Sequence, residues 1–133
     1  MAPLPTDPQP ILLLVEDEPD TADLVKMIMM DEGYLVVHVA DGQEALDKIA
    51  MMPIPTVAVL DIQLPHVDGI TILKTIRSIY EWQTVPVVML TAVADAEYVR
   101  TVSALNVQGY LLKPFKRESL VRKIEHARTL ARP

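Results

Sequence analysis

The chain has 133 residues and a formal charge of −6, from 12 Lys plus Arg against 18 Asp plus Glu; this suits one domain and opposes phosphate-backbone contact as a main activity. It has no cysteine, which excludes disulfides, thiolate metal sites and cysteine nucleophiles. Half of the residues are hydrophobic, yet no uninterrupted apolar run approaches the ~20 residues of a membrane span, so a soluble, cytoplasmic protein without membrane contact or a direct nucleic-acid ligand is expected.

Met1 to Pro10 contains four prolines, no basic start and no apolar signal core, so residues 1–10 read as a flexible tail, 11–130 as the domain and 131–133 as a short end. Ile11 to Val15 is an apolar run halted by Glu16 and Asp17, and Pro19 suits the first turn of a helix. That helix, about Pro19 to Glu32, sets Leu24, Val25, Ile28 and Met29 at helical spacing. Met27 and Met30 widen its apolar face, the run Met27 to Met30 is expected in the core, and Gly33 ends the helix. Leu35 to Ala40 reads as a second strand. Asp41 and Glu44 have the spacing of a capping box, predicting a helix to about Met51 that stops before Pro53.

Val57 to Leu60 suits a strand buried on both faces, with Asp61 at its carboxyl end before a loop forced by Pro65 and Gly69. Ile70, Leu73 and Ile76 mark a third helix, followed by a polar turn, the strand Val85 to Leu90, and Thr91. A fourth helix, about Ala94 to Leu105, is patterned by Tyr98, Val99, Val102 and Leu105; Gly109 to Leu112 is a short fifth strand closed by Lys113 and Pro114. The last helix, about Lys116 to Leu130, turns Leu120, Ile124 and Ala127 inward and Arg117, Arg122, Lys123 and Arg128 largely outward. Alternating strands and helices of this kind predict an α/β fold: a single three-layer (βα)5 domain with a parallel five-stranded sheet, no repeat and no second domain.

The chemistry-bearing residues fall at strand ends: Glu16 and Asp17 after the first, Asp61 after the third, Thr91 at the fourth and Lys113 at the fifth. In a parallel sheet these share the carboxyl edge, where ligands bind. Three carboxylates stay ionised together only with a cation among them, and oxygen ligands without cysteine or a histidine pair favour Mg2+ over zinc. An acid cluster, a hydroxyl and a lysine are what phosphoryl transfer to a carboxylate requires.

With Glu16 and Asp17, Asp61, Leu64-Pro65-His66-Val67-Asp68-Gly69, Thr91-Ala92 and Lys113-Pro114-Phe115 in place, the chain resembles the receiver domain of two-component response regulators, of the chemotaxis-regulator kind, over about Ile11 to Leu130. The resemblance implies a flavodoxin-like sheet of order 2-1-3-4-5 and an Asp61 that accepts phosphoryl from a histidine kinase or phosphotransfer protein. It implies Mg2+ held by Asp17, Asp61 and the backbone carbonyl of Gln63, with Glu16 acting through water. Thr91 and Lys113 would bind the phosphoryl oxygens, Lys113–Pro114 would be cis, and Tyr110 would turn with the switch. Gln63 and Val93 would tune the phosphoryl lifetime. The surface of helix four, strand five and helix five would then carry the output, to an output domain or protein or to a phosphorylation-dependent homodimer. The first helix would help to dock the phosphodonor. Fluorescence of Trp82 or Tyr110 is expected to follow metal binding.

Two features depart from receivers joined to winged-helix transcription factors: Val107-Gln108-Gly109 stands where an acidic pair usually precedes the tyrosine, and Thr129 to Pro133 follow helix five with no linker. A stand-alone receiver and the N-terminal receiver of a larger regulator or hybrid kinase both fit. Such a domain is a switch that accelerates its own phosphorylation and dephosphorylation rather than an enzyme acting on others. A Mg2+-dependent aspartyl phosphatase of the haloacid dehalogenase type fits poorly, because Asp17 is followed by Glu18-Pro19-Asp20 rather than by an aspartate two residues on. A docking-only receiver would not need Asp61, Thr91 and Lys113. A flavin site would want hydroxyls where the acids follow strand one. Glu16 and Asp17 could also cap the first helix, and His38, His66 and His126 read as surface or packing residues.

Overall fold

The computed structural model describes residues 8–92 and 96–130. Five strands, β1 (Ile11–Val15), β2 (Leu35–Val39), β3 (Val57–Asp61), β4 (Val87–Thr91) and β5 (Gly109–Leu112), form one parallel sheet of order β2-β1-β3-β4-β5. They alternate with α1 (Pro19–Asp31), α2 (Gly42–Met51), α3 (Gly69–Ser78), α4 (Ala96–Ala104) and α5 (Arg117–Leu130). The expected architecture and strand order are therefore present.

Period-two alternation along the strands splits the core into two layers. Leu12, Leu14, Val57, Val59, Val88 and Leu90 face α1 and α5, whereas Leu13, Val15, Ala58, Leu60 and Met89 face α2, α3 and α4. β3 and β4 are buried at every position, as continuous apolar runs covered on both faces require.

Local chemistry sets the element ends. Glu18, not Glu16 or Asp17, is the N-cap of α1 and makes no side-chain capping bond, with Pro19 just inside the helix, so the capping reading of the acid pair does not hold. At the other end Gly33, at φ +96°, lets its own N–H reach Met30 O and that of Tyr34 reach Met29 O. Asp41 Oδ1 accepts from Glu44 N at 2.8 Å, and Glu44 answers the N–H of Ala40 rather than that of Asp41.

Several expectations shift. In α1 the core takes Ala22, Val25, Ile28 and Met29, while Leu24, Met27 and Met30 are exposed, because one helix face meets the sheet and the apolar surplus faces solvent. In α3 the buried stripe is Ile72, Leu73 and Ile76, with Ile70 only partly covered. β4 begins at Val87 rather than Val85, and the preceding polar turn is a 3₁₀ turn over Tyr80–Trp82 that buries Trp82. Gln9 and Pro10, within the stretch read as tail, bond to Gly33 O and to the N–H of Leu35. Residues 1–7, Val93, Ala94, the side chains of Tyr98 and Val99, and residues 131–133 lie outside the described residues.

Candidate functional site

The register places the strand-end residues side by side. Val15 pairs with Leu60, Asp61 with Leu90, and Thr91 with Leu112, so Glu16, Asp61, Thr91 and Lys113 follow one another across the carboxyl edge. Lys113 N donates to Thr91 O at 2.8 Å, which holds the start of the β5–α5 loop against β4, and the Lys113–Pro114 peptide is cis. From there the lysine side chain reaches back over β4, with Nζ 3.0 Å from Asp61 Oδ2 and 2.7 Å from Glu16 Oε1.

Glu16, Asp17 and Asp61 each turn one oxygen to a common point, all within 4.8 Å of one another. Glu16 is wholly buried, Asp61 nearly so, and Asp17 is exposed at the mouth. Burial pushes the Glu16 carboxyl up to about 7; the Lys113 ammonium and the Glu18 N–H oppose that rise, and the neighbouring Asp61 charge adds to it. Burial alone would lower Lys113, but its close contacts with the Glu16 and Asp61 carboxylates outweigh this and hold it above its ordinary value.

Three carboxyl groups share one ammonium, so the cluster is short of positive charge whenever all three are ionised. Glu16 Oε1 has the ion pair with Lys113 but no hydrogen bond of good geometry. Hard oxygen donors with that deficit fit a divalent ion of the Mg2+ kind.

The β3–α3 loop is shaped by close backbone approach. Asp61 Oδ1 accepts from Gln63 N at 3.0 Å, so the aspartate folds the chain that follows it back toward its own carboxylate. Gly69 N returns to Ile62 O, and a Cβ at Gly69 would sit 2.0 Å from the Asp61 carbonyl oxygen. Likewise a Cβ at Gly42 would lie 1.9 Å from the Val67 carbonyl, so the loop rests directly on the start of α2. Asp17, Gln63, Leu64, Pro65 and Asp68 line the resulting cleft. Thr91 is fully buried at the end of β4. Tyr110 is half-buried on β5, beside a hollow lined by Val102, Val107 and Gln108.

Glu16, Asp17, Asp61, Gln63, Thr91 and Lys113 thus meet at one edge, whereas Tyr110 pairs with Met89, two residues below Thr91, and Val93 lies outside the described residues. Trp82 does not join them: it lies five residues before Val87, which is itself three residues, ~10 Å, down β4 from Leu90, the partner of Asp61, so it sits toward the opposite edge and makes no contact with a metal at the acids. Two side chains that escape sequence reading hold the sheet's edges, one behind the acids and one at the opposite end. His38 Nε2 lies 2.8 Å from the Glu16 backbone oxygen. Arg77, at the end of α3, donates to Val85 O at 2.8 Å, Asn106 O at 2.7 Å and Gln108 Oε1 at 2.9 Å, and the Gln108 oxygen also takes Val87 N. Neither side chain belongs to a pattern of spacing; each is identified only by what the fold brings to it.

Comparison with known proteins agrees with this geometry. The response regulator receiver domain model matches residues 12–125. TrcR, a transcriptional regulatory protein of Mycobacterium tuberculosis, is 40% identical over 89% of this chain and 45% of its own length, so the chain spans about half of that relative. An uncharacterized 14.6 kDa protein of Leptolyngbya boryana is 31% identical over 86% of each chain. The receiver domain of a sensor histidine kinase from Pseudomonas aeruginosa, solved with a magnesium ion coordinated in its active site cleft, superposes with a TM-score of 0.82 at 30% identity, covering 92% of this chain and 99% of that one. A chain with this sheet order, this acid cluster and a match over nearly its whole domain belongs to the response regulator receiver domain family.

Proposed function

We propose that Asp61 is the phosphoacceptor and that the donor is the phosphohistidine of a histidine kinase or phosphotransfer protein. The observation that carries this reading is the meeting of Glu16, Asp17 and Asp61 around a common point, with Lys113 bridging the two buried acids. Asp17, Asp61 and the Gln63 carbonyl would hold Mg2+, with Glu16 acting through water. When bound, the ion supplies positive charge beside the acceptor carboxylate and the incoming phosphoryl oxygens.

In the transfer a carboxylate oxygen of Asp61 attacks phosphorus; the O–P bond forms as the donor's P–N bond breaks, and the electron pair leaves with the imidazole. Lys113, already 3.0 Å from Asp61 Oδ2, follows the charge onto the phosphoryl group. Thr91, one strand over, turns its hydroxyl to the same group. The space it leaves is taken by Tyr110, and the changed face of α4, β5 and α5 is read by an output domain, an output protein or a second copy. The protein then acts as a cytoplasmic switch rather than an enzyme on other substrates; among the described residues no helix is long and apolar enough to cross a membrane.

The test is intact-mass spectrometry after incubation with acetyl phosphate and Mg2+. Wild type gains one phosphoryl group and Asp61→Asn none; an equal gain in both refutes the assignment.

A further inference from the structure

Parallel pairing of β1 with β2 ends where the site begins. Val15 pairs with Val39, and Glu16 N makes the last backbone bond, to Val39 O at 3.1 Å. The next N–H in that register is two residues on, at Asp41, where the chain has already left the strand as the N-cap of α2, and it makes no bond to Glu16. The Glu16 carbonyl, carried by a wholly buried residue, therefore meets no main-chain donor from β2. It accepts instead from the His38 ring, Nε2 to oxygen 2.8 Å. A carbonyl only accepts, so Nε2 carries the proton, whichever state Nδ1 is in.

That carbonyl belongs to the peptide whose nitrogen is Asp17's. Asp17 makes no side-chain hydrogen bond or ion pair with the described residues, so its aim depends on the backbone that carries it. Three bonds hold that backbone: Glu16 N to Val39 O, the His38 ring to Glu16 O, and Glu18 N to Glu16 Oε2 at 3.1 Å. The first two fix the peptide planes on either side of Glu16 Cα, and the third ties the turn to the buried carboxylate. His38 is the only one of the three donors that is a side chain, and so the only one a substitution can remove without moving the chain.

We infer that His38 is a positioning residue for the acid pair: by donating Nε2–H to the Glu16 carbonyl it sets the peptide that aims Asp17 at the metal point. The inference rests on the Mg2+ reading above. A side chain that orients a ligand from behind commonly changes metal affinity by 10–100-fold when removed.

Mg2+ alone is titrated calorimetrically into wild type, His38→Leu, His38→Gln and Asp17→Asn. Leucine suits a half-buried strand position and has no donor, whereas the glutamine amide nitrogen reaches the same place as Nε2. His38→Leu is expected to bind Mg2+ ~10-fold more weakly, His38→Gln near wild type, and the metal-free melting temperatures of the three to differ little. Equal weakening in the leucine and glutamine variants, or wild-type binding in His38→Leu while Asp17→Asn fails, overturns the role of His38 and leaves the metal site standing. Wild type failing to bind, or Asp17→Asn binding as wild type, overturns the metal reading and this inference with it. A 15N spectrum of the wild-type histidines needs no variant: Nε2–H at His38 supports the inference, and an Nδ1–H tautomer refutes it.

Discussion

Replacing the buried acid of the site should stabilise the metal-free protein, by an amount that depends on pH. Glu16 has no solvent exposure, and burial first of all pushes its carboxyl from 4.5 to about 7. Between those values the folded state still holds a proton that the unfolded chain has released. Stability therefore falls as pH rises from 4.5 through about 7, and stays reduced above. At about 1.4 kcal/mol for each pH unit of that gap, the loss is ~3 kcal/mol near pH 8 and under ~1 kcal/mol near pH 5.

Glu16→Gln keeps the shape, keeps an acceptor for Glu18 N, and leaves Lys113 paired with Asp61. Urea unfolding of both proteins with a chelator present should show the variant more stable by ~3 kcal/mol near pH 8, a rise of ~10 °C in Tm, with the two nearly coincident near pH 5. Mg2+ should then raise wild type more than the variant and narrow the gap. A gap that does not change with pH, or a variant less stable than wild type near pH 8, refutes the argument that desolvation governs this carboxyl.

Gly69→Ala places a methyl 2.0 Å from the Asp61 carbonyl oxygen, with main chain on both sides unable to yield. A loss of ~3 kcal/mol in urea unfolding, together with weakened Mg2+ binding, is expected; a change under ~1 kcal/mol would mean the loop can slide. Arg77→Met strips donors from Val85, Asn106 and Gln108 and should cost ~3 kcal/mol or more, with Arg77→Lys recovering less than half because one ammonium cannot span those acceptors. Full recovery by lysine would show that charge, not the planar fork, is what matters there. Trp82 emission should stay unchanged across a Mg2+ titration that calorimetry registers; a change would reveal coupling between the two sheet edges.

What sequence alone makes legible is whatever periodicity or strand-end position encodes. The buried runs of β3 and β4, the Gly33 stop and the acids after β1 and β3 are all of this kind, because each follows from local geometry and one apolar face. α1 shows where it stops: its apolar residues exceed what one face can bury, and only packing decides that Met29 goes in while Met27 and Met30 stay out. The clamp at Arg77 and the bond from His38 to Glu16 are illegible for a different reason. Both satisfy main-chain carbonyls distant in sequence, and no spacing rule predicts which polar side chain will meet an unpaired carbonyl.

The two edges of the sheet solve this same problem in opposite ways. At the amino edge, where the chain enters β4 and β5, Arg77 and Gln108 saturate the loops with hydrogen bonds to main chain, and Asn106, at φ +61°, ends α4 so that its carbonyl meets the guanidinium. Nothing there needs a ligand. At the carboxyl edge one lysine divides itself between two buried acids, a carboxylate oxygen is left without a good hydrogen bond, and Asp17 has no side-chain partner among the described residues. An edge so short of positive charge is costly when empty and gains from any group that brings a cation. With the other end of the same strands clamped, the proposed phosphoryl and metal chemistry would act chiefly on the edge that carries it and on the loops that follow. On the proposed reading, the few kcal/mol a phosphoryl group can supply would then act at the end of β4 and the face of β5.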